Sequence, residues 1–285
     1  VSHGYKFLSV VERENGQKAY LRAFNDTRRL PSEKEISAVL RSFLVPAPRI
    51  GFLETNTERR LAGRGNGDYH SLADESFRFS PVNQGFDVFS VSVEENRQMI
   101  LDSLDVLMVS DPSGDYAPEA METLREYVRR GKNLILAVKP SSYKYLAPLT
   151  SDLGLSFEAG MVVETPRKDV PANVVSCEIP EGGERGYSRY FNTRQFANYT
   201  VPGASSIKIE GAGGFTYTPT LVTKDKLAWN ELETVDFVNE VATADKSRGE
   251  CTGEKIVMVS LTRTVNDREQ RIVVMGDADL ISEGE

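Results

Sequence analysis

Histidine and cysteine are scarce in this chain, and their scarcity excludes much chemistry. The 285 residues include 2 His and 2 Cys. Their positions give none of the C-x-x-C or H-x-x-x-H spacings of a zinc site. His3 stands near the start and His70 in a segment read as a surface helix, so neither is placed to activate a Ser or Cys nucleophile. The G-x-S-x-G and G-x-C-x-G elbows are also absent. Cys177 lies in the strand-like Val175-Ser176-Cys177-Glu178-Ile179 and Cys251 in a charged loop. One disulfide is the most they could form, and the preferred reading is two small, partly buried apolar residues.

A basic excess is missing as well. Lys plus Arg total 34 against 42 Asp plus Glu, a net charge of -8, so phosphate backbones are repelled and nucleic acid is a poor partner. No stretch approaches the run of about 20 apolar residues that a membrane helix needs; the longest, such as Val106-Leu107-Met108-Val109, are strand-sized. Repeats and low-complexity tracts are absent. The start is neither an initiator Met nor a signal peptide, and both ends read as cut from a longer protein. Ala62-Gly63-Arg64-Gly65-Asn66-Gly67 matches no phosphate-loop pattern and reads as a surface loop.

What is present is the patterning of an α/β protein. Residues 5–24 form two β-prone runs around Glu14-Asn15-Gly16-Gln17, a hairpin signal because both turn positions must tolerate positive φ. Ser32-Glu33-Lys34-Glu35 is a capping box, and Ile36, Val39, Leu40 and Phe43 are expected to form the inner face of the helix it opens. Residues 1–48 are thus read as a hairpin-and-helix arm, and 49–285 as an α/β domain. Strands are expected near 50–53, 86–91, 104–109, 134–138 and 272–275, and helices over 69–77, 118–130 and 143–153. Pro118 opens the middle helix, whose inner face is Ala120, Met121, Leu124 and Val128, and Gly131 closes it. The resulting βαβ unit implies a parallel pair, with helices on both faces of a mainly parallel sheet. Residues 160–225 read as an irregular, strand-rich insertion and 239–254 as a mobile polar loop. The strands 256–261 and 272–275 are too close for a crossover and should pair antiparallel. Trp229 is expected to pack against the sheet.

The sharpest local feature is Gly276-Asp277-Ala278-Asp279, directly after a strand. Ligands of open α/β sheets bind at the carboxyl ends of strands, and Asp111 ends another strand, which makes Asp111, Asp277 and Asp279 the candidate ligand-binding residues. Their convergence on a hard cation is one reading; short acids capping turns is the preferred one, with no metal and no cofactor.

Three stretches resemble the GldG-type (gliding-motility-associated) ABC-transporter auxiliary family. Leu104-Asp105-Val106-Leu107-Met108-Val109-Ser110, with Arg130-Gly131-Lys132-Asn133-Leu134-Ile135-Leu136, is similar to the family's strand–helix–strand. Leu221-Val222-Thr223 with Ala228-Trp229 resembles its Thr-then-Trp element, and Arg271-Ile272-Val273-Val274-Met275-Gly276-Asp277-Ala278-Asp279-Leu280 its terminal strand. Two turns depart from the pattern. Thr55-Asn56-Thr57-Glu58 keeps only the Glu of a Gly-His-Gly-Glu turn, and Lys139-Pro140 replaces an acidic residue. The resemblance implies a flavodoxin-like or amidotransferase-like sheet. It also implies a non-catalytic, extracytoplasmic (periplasmic) auxiliary domain of an ABC-2-type system, in a membrane-anchored parent working with permease and ATPase subunits. A small-ligand module for sugar or peptide is the alternative; a hydrolase or amidotransferase relative ranks third.

Overall fold

The computed structural model describes residues 5–24, 30–63, 67–181, 199–211 and 213–282. His3, and Arg64, Gly65 and Asn66 of the glycine-rich loop, lie outside the described residues. By packing the chain divides into two compact units: Val1–Thr55, Arg59–Leu107 and Ser282–Glu285 in the first, Asn56–Glu58 and Met108–Ile281 in the second. The arm of residues 1–48 is part of the first unit.

In the first unit, β1 (Tyr5–Glu12) and β2 (Lys18–Phe24) form the expected antiparallel hairpin, with Gly16 at φ +82° in its turn. Helix α1 (Glu33–Ser42) begins with the full capping box: Glu35 N–H donates to Ser32 Oγ, and the Glu35 carboxylate accepts from Ser32 N–H. Only half of the expected apolar face turns inward: Val39 and Phe43 are partly buried, but Ile36 and Leu40 are 43% and 54% exposed, and Glu35 is buried. The reason lies 43 residues away, where Arg78 Nη1 reaches both Glu35 oxygens at 2.8 and 2.7 Å. The Arg78 guanidinium also sits 4.9 Å from the Phe24 ring centroid, so a buried ion pair takes the place expected for leucine. Strand β3 (Arg49–Leu53), the short α2 (His70–Ala73), β4 (Asp87–Val91) and α3 (Val93–Ser103) complete this unit with the start of β5 (Val106–Ser110). β3 and β4 pair in parallel, from Arg49↔Asp87 to Leu53↔Val91. The helix expected over 69–77 shrinks to four residues: Tyr69 gives no side-chain cap, and Asp74 leaves the helix in an extended conformation, its carboxylate accepting from Ser76 N–H at 2.7 Å.

In the second unit, α4 (Pro118–Arg129) and β6 (Asn133–Ala137) complete the βαβ unit that β5 opens. Then come α5 (Ala147–Asp152), β7 (Leu155–Phe157), β8 (Met161–Val163), β9 (Val174–Glu178), β10 (Tyr199–Pro202), β11 (Ile207–Ile209), β12 (Thr216–Thr223), β13 (Trp229–Glu231), β14 (Ile256–Val265) and β15 (Arg268–Met275). The strand order is β10-β9-β12-β14-β15-β6-β5, with β11-β7 and β13-β8 as separate pairs. β15 runs parallel to β6, but β14–β15, β12–β14, β9–β12 and β10–β9 are antiparallel. The sheet is therefore mixed, not mainly parallel, because the strand-rich insertion adds strands through connections without crossover helices.

Alternation along these strands builds the core. Val257, Val259 and Leu261 of β14, Ile272 and Val274 of β15 and Leu136 of β6 are fully buried. Asn266 and Asp267, at φ 50° and 60°, form the tight β14–β15 turn. Gln270 is the polar member of the buried row: its amide donates to the Val128 and Lys132 carbonyls at 2.9 and 2.6 Å, and its oxygen accepts from Arg263 Nε at 2.7 Å. It thereby fastens the carboxyl end of α4 to the hairpin.

Candidate functional site

The parallel pairing of β6 with β15 brings their carboxyl ends side by side. Val138 N–H donates to Met275 O at 3.0 Å, and Asp111 N–H to Ala137 O at 2.9 Å. Asp111, Lys139 and Asp277 thus all follow strand ends at one end of this sheet, where side chains of α/β folds commonly meet ligands. Asp111 has φ 53°, a left-handed conformation in which the chain turns off its strand.

Asp277 is fully buried and accepts a hydrogen bond from Asp279 N–H at 2.8 Å. The Asp279 carboxylate in turn pairs with Lys139 Nζ at 2.5 Å. Lys139, read in sequence only as a departure from a family pattern, is therefore the charge partner of a candidate site residue. Among the described residues no group of three His, Cys, Asp or Glu side chains is arranged to hold a metal ion. The Gly276 requirement differs from the one a strand-to-turn glycine suggests. Its φ is not left-handed; instead Ser205 N–H donates to Gly276 O at 2.6 Å, and a Cβ at 276 would stand 2.0 Å from Ser205 O. Close backbone approach fixes this residue.

The Thr55-Asn56-Thr57-Glu58 turn joins the same end. Ser113 N–H donates to Asn56 O at 3.3 Å, the Asn56 side chain donates to Gly114 O, and the Thr57 and Ser113 hydroxyls meet. Buried Glu58 accepts from the Tyr116 hydroxyl. Burial and then the Glu58 charge push the Tyr116 hydroxyl far above its usual range, so it stays a donor at any physiological pH. Neither member of this pair was singled out from the sequence as a candidate. The retained Glu58 was the available signal, but its partner is 58 residues away.

With this arrangement of strand ends in view, solved structures bear on the fold. The chain is similar to the mmIFT52 N-terminal domain. The match covers 82% of this chain and 88% of that one, with a TM-score of 0.56 and 13% sequence identity, and what is shared at that identity is the fold. No family model and no curated protein matches the chain.

The remaining chemistry-bearing residues lie elsewhere. Both cysteines are free thiols. Cys177 is fully buried, and burial, followed by the nearby charges of Glu164 and Asp277, raises its thiol to about 12, so it is protonated at neutral pH. Cys251 is exposed, unlike the partly buried residue expected. It borders a cavity of about 330 Å3 lined by Glu158, Lys208, Glu210, Asn230 and Lys255. Burial alone would raise the Glu158 carboxyl there, but hydrogen bonds from Lys255, Ser206 and Lys208 outweigh it and hold the group below the usual range. His70 is 3.8 Å from Asp74 on α2, in the first unit.

The strand-end carboxylates can be tested directly. Asp277→Ala is expected to cost about 0.5–2 kcal/mol, the range for a lost side-chain-to-backbone cap. If these acids only cap turns, millimolar Mg2+ or Ca2+ should leave the wild-type melting temperature unchanged. A saturable rise that Asp277→Ala removes would make these carboxylates a cation site instead.

Proposed function

We propose that this chain is a non-catalytic interaction domain, the extracytoplasmic auxiliary part of a GldG-type ABC-2 transport system. In this reading a membrane-anchored parent holds the domain at the periplasmic face and brings it to permease and ATPase subunits. Among the described residues no helix is long and apolar enough to cross a membrane, so the anchor would be a segment of the parent outside them. The reading is supported by the Arg271–Leu280 resemblance, whose residues form β15 and the Asp277 turn in the middle of the second unit. The flavodoxin-like character of the β5–α4–β6 unit belongs to the same reading. The observation that carries the word interaction is a run of exposed apolar side chains on one loop: Val235, Val238 and Val241 are 88%, 81% and 77% exposed.

A tagged parent chain, purified in mild detergent, should bring down an ABC permease and its ATPase in fixed proportion. Recovery of the parent without either subunit, under conditions where the transporter itself stays assembled, sinks this reading. The small-ligand reading is favoured by the polar cavity beside Glu158 and Lys255, whose volume of about 330 Å3 is that of small-molecule sites.

A further inference from the structure

The stretch 232–250, which overlaps the polar loop expected over 239–254, carries a defined set of internal bonds. Two buried carboxylates organise it. Glu231 accepts from Trp229 Nε1 at 3.1 Å and from the backbone N–H groups of Glu233 and Thr234 at 3.2 and 3.1 Å. Glu250 accepts from Leu232 N–H at 3.0 Å and Asp245 N–H at 2.7 Å. Phe237 and Ala244 pack against buried Trp229 and Ala242. At the tip, Asp236 accepts from the backbone N–H groups of Val238 and Asn239, both at 3.1 Å, and from the Asn239 amide at 2.7 Å. The Asn239 side chain, and then its backbone N–H, hold the Asp236 carboxyl below its usual range.

A loop with this many bonds could have turned its valines inward with Phe237. Instead Val235, Val238 and Val241 are its most exposed apolar residues. Exposed apolar side chains on a loop held by its own hydrogen bonds lose little conformational freedom when they are covered. The loop's charge identifies what covers them. Residues 232–241 carry Glu233, Asp236 and Glu240 and no Lys or Arg; Glu233 pairs with Arg248 further along the loop, whereas Asp236 and Glu240 have no ion-pair partner among the described residues. An anionic bilayer would repel Asp236 and Glu240, and a second copy meeting this one loop to loop would set the same acids against each other.

We propose that the Val235–Val238–Val241 loop docks into an apolar groove of a partner protein whose rim carries Lys or Arg. The surface is the one on which the interaction-domain reading rests, and the proposal adds the chemistry of its partner. The probe is the full chain carrying Val238→p-benzoylphenylalanine, photo-crosslinked in the cells that make it, with Glu14 as the exposed control position. The crosslinked species is identified by mass spectrometry and its complex with the chain is reconstituted from purified components.

The expected result is a protein crosslinked at a segment containing apolar residues flanked by Lys or Arg. Val235→Ser/Val238→Ser/Val241→Ser should weaken the purified complex at least tenfold. Asp236→Lys/Glu240→Lys should weaken it similarly and reverse its salt dependence, with both variants melting as the wild type does. If the partner is a permease or ATPase subunit, the transporter reading stands too; if it is another protein meeting these criteria, docking stands and that reading falls. A crosslink to lipid or to a second copy of the chain overturns the proposal. So does a yield no higher than at the Glu14 position, or a complex indifferent to both variants.

Discussion

Arg78→Met should be among the most damaging single substitutions in the first unit, at about 3–5 kcal/mol. The Arg78 and Glu35 side chains are 3% and 4% exposed, so removing the guanidinium leaves a carboxylate with little access to water. Glu35 cannot simply turn away, because it closes the capping box of α1. Urea denaturation followed by circular dichroism, with hydrogen exchange on the amides of Glu33–Ser42, reads the loss where it occurs. Adding Glu35→Gln, which keeps an oxygen for Ser32 N–H but removes the charge, should recover much of it. A single Arg78→Met variant with wild-type α1 protection would show that the pair contributes little.

Gly276→Ala should destabilise the second unit by an amount at or above the ~1–3 kcal/mol of ordinary overpacking. The added methyl would meet a carbonyl oxygen, Ser205 O at 2.0 Å, and not the yielding end of a side chain. Relief requires moving the Ser205–Gly276 hydrogen bond of 2.6 Å, which joins the segment after β10 to the end of β15. Gly253→Ala is the control, since a Cβ there meets nothing within 4 Å. The measurement is the thermal midpoint of each variant. If Gly276→Ala melts with Gly253→Ala, the backbone yields more cheaply than this geometry requires.

These two positions also mark where sequence reading stopped. The hairpin at Gly16, the capping box at Ser32, the strands of the βαβ unit and the β14–β15 pair were legible because each rests on neighbours within a few residues. The inner face of α1 was read only in part because the periodic pattern marks apolar residues and cannot show that Glu35 is neutralised by Arg78 from 43 residues away. Likewise Gly276 offered a conformational explanation by its place after a strand, whereas its neighbour in space is Ser205. The candidate site divides the same way. Asp111, Asp277 and Asp279 follow from being acids at strand ends; Lys139 and the Glu58–Tyr116 pair depend on turns brought together only by the fold. Residues 239–254 read as a polar loop because glutamates such as Glu250 count as surface residues in any composition, although Glu250, like Glu231, is buried.

Gln270 has a consequence for how the β14–β15 hairpin finds its alignment. Its neighbours Glu269 and Arg271 are exposed and paired to each other. Sliding β15 by one residue would carry one of these ions into the row now filled by Gln270, Ile272 and Val274, and would withdraw the amide from Val128 and Lys132. A hairpin in the shifted alignment would therefore hold a stranded charge and leave the last turn of α4 unanchored. The amide works as a proofreader: it tolerates one alignment and makes its nearest competitor electrostatically untenable.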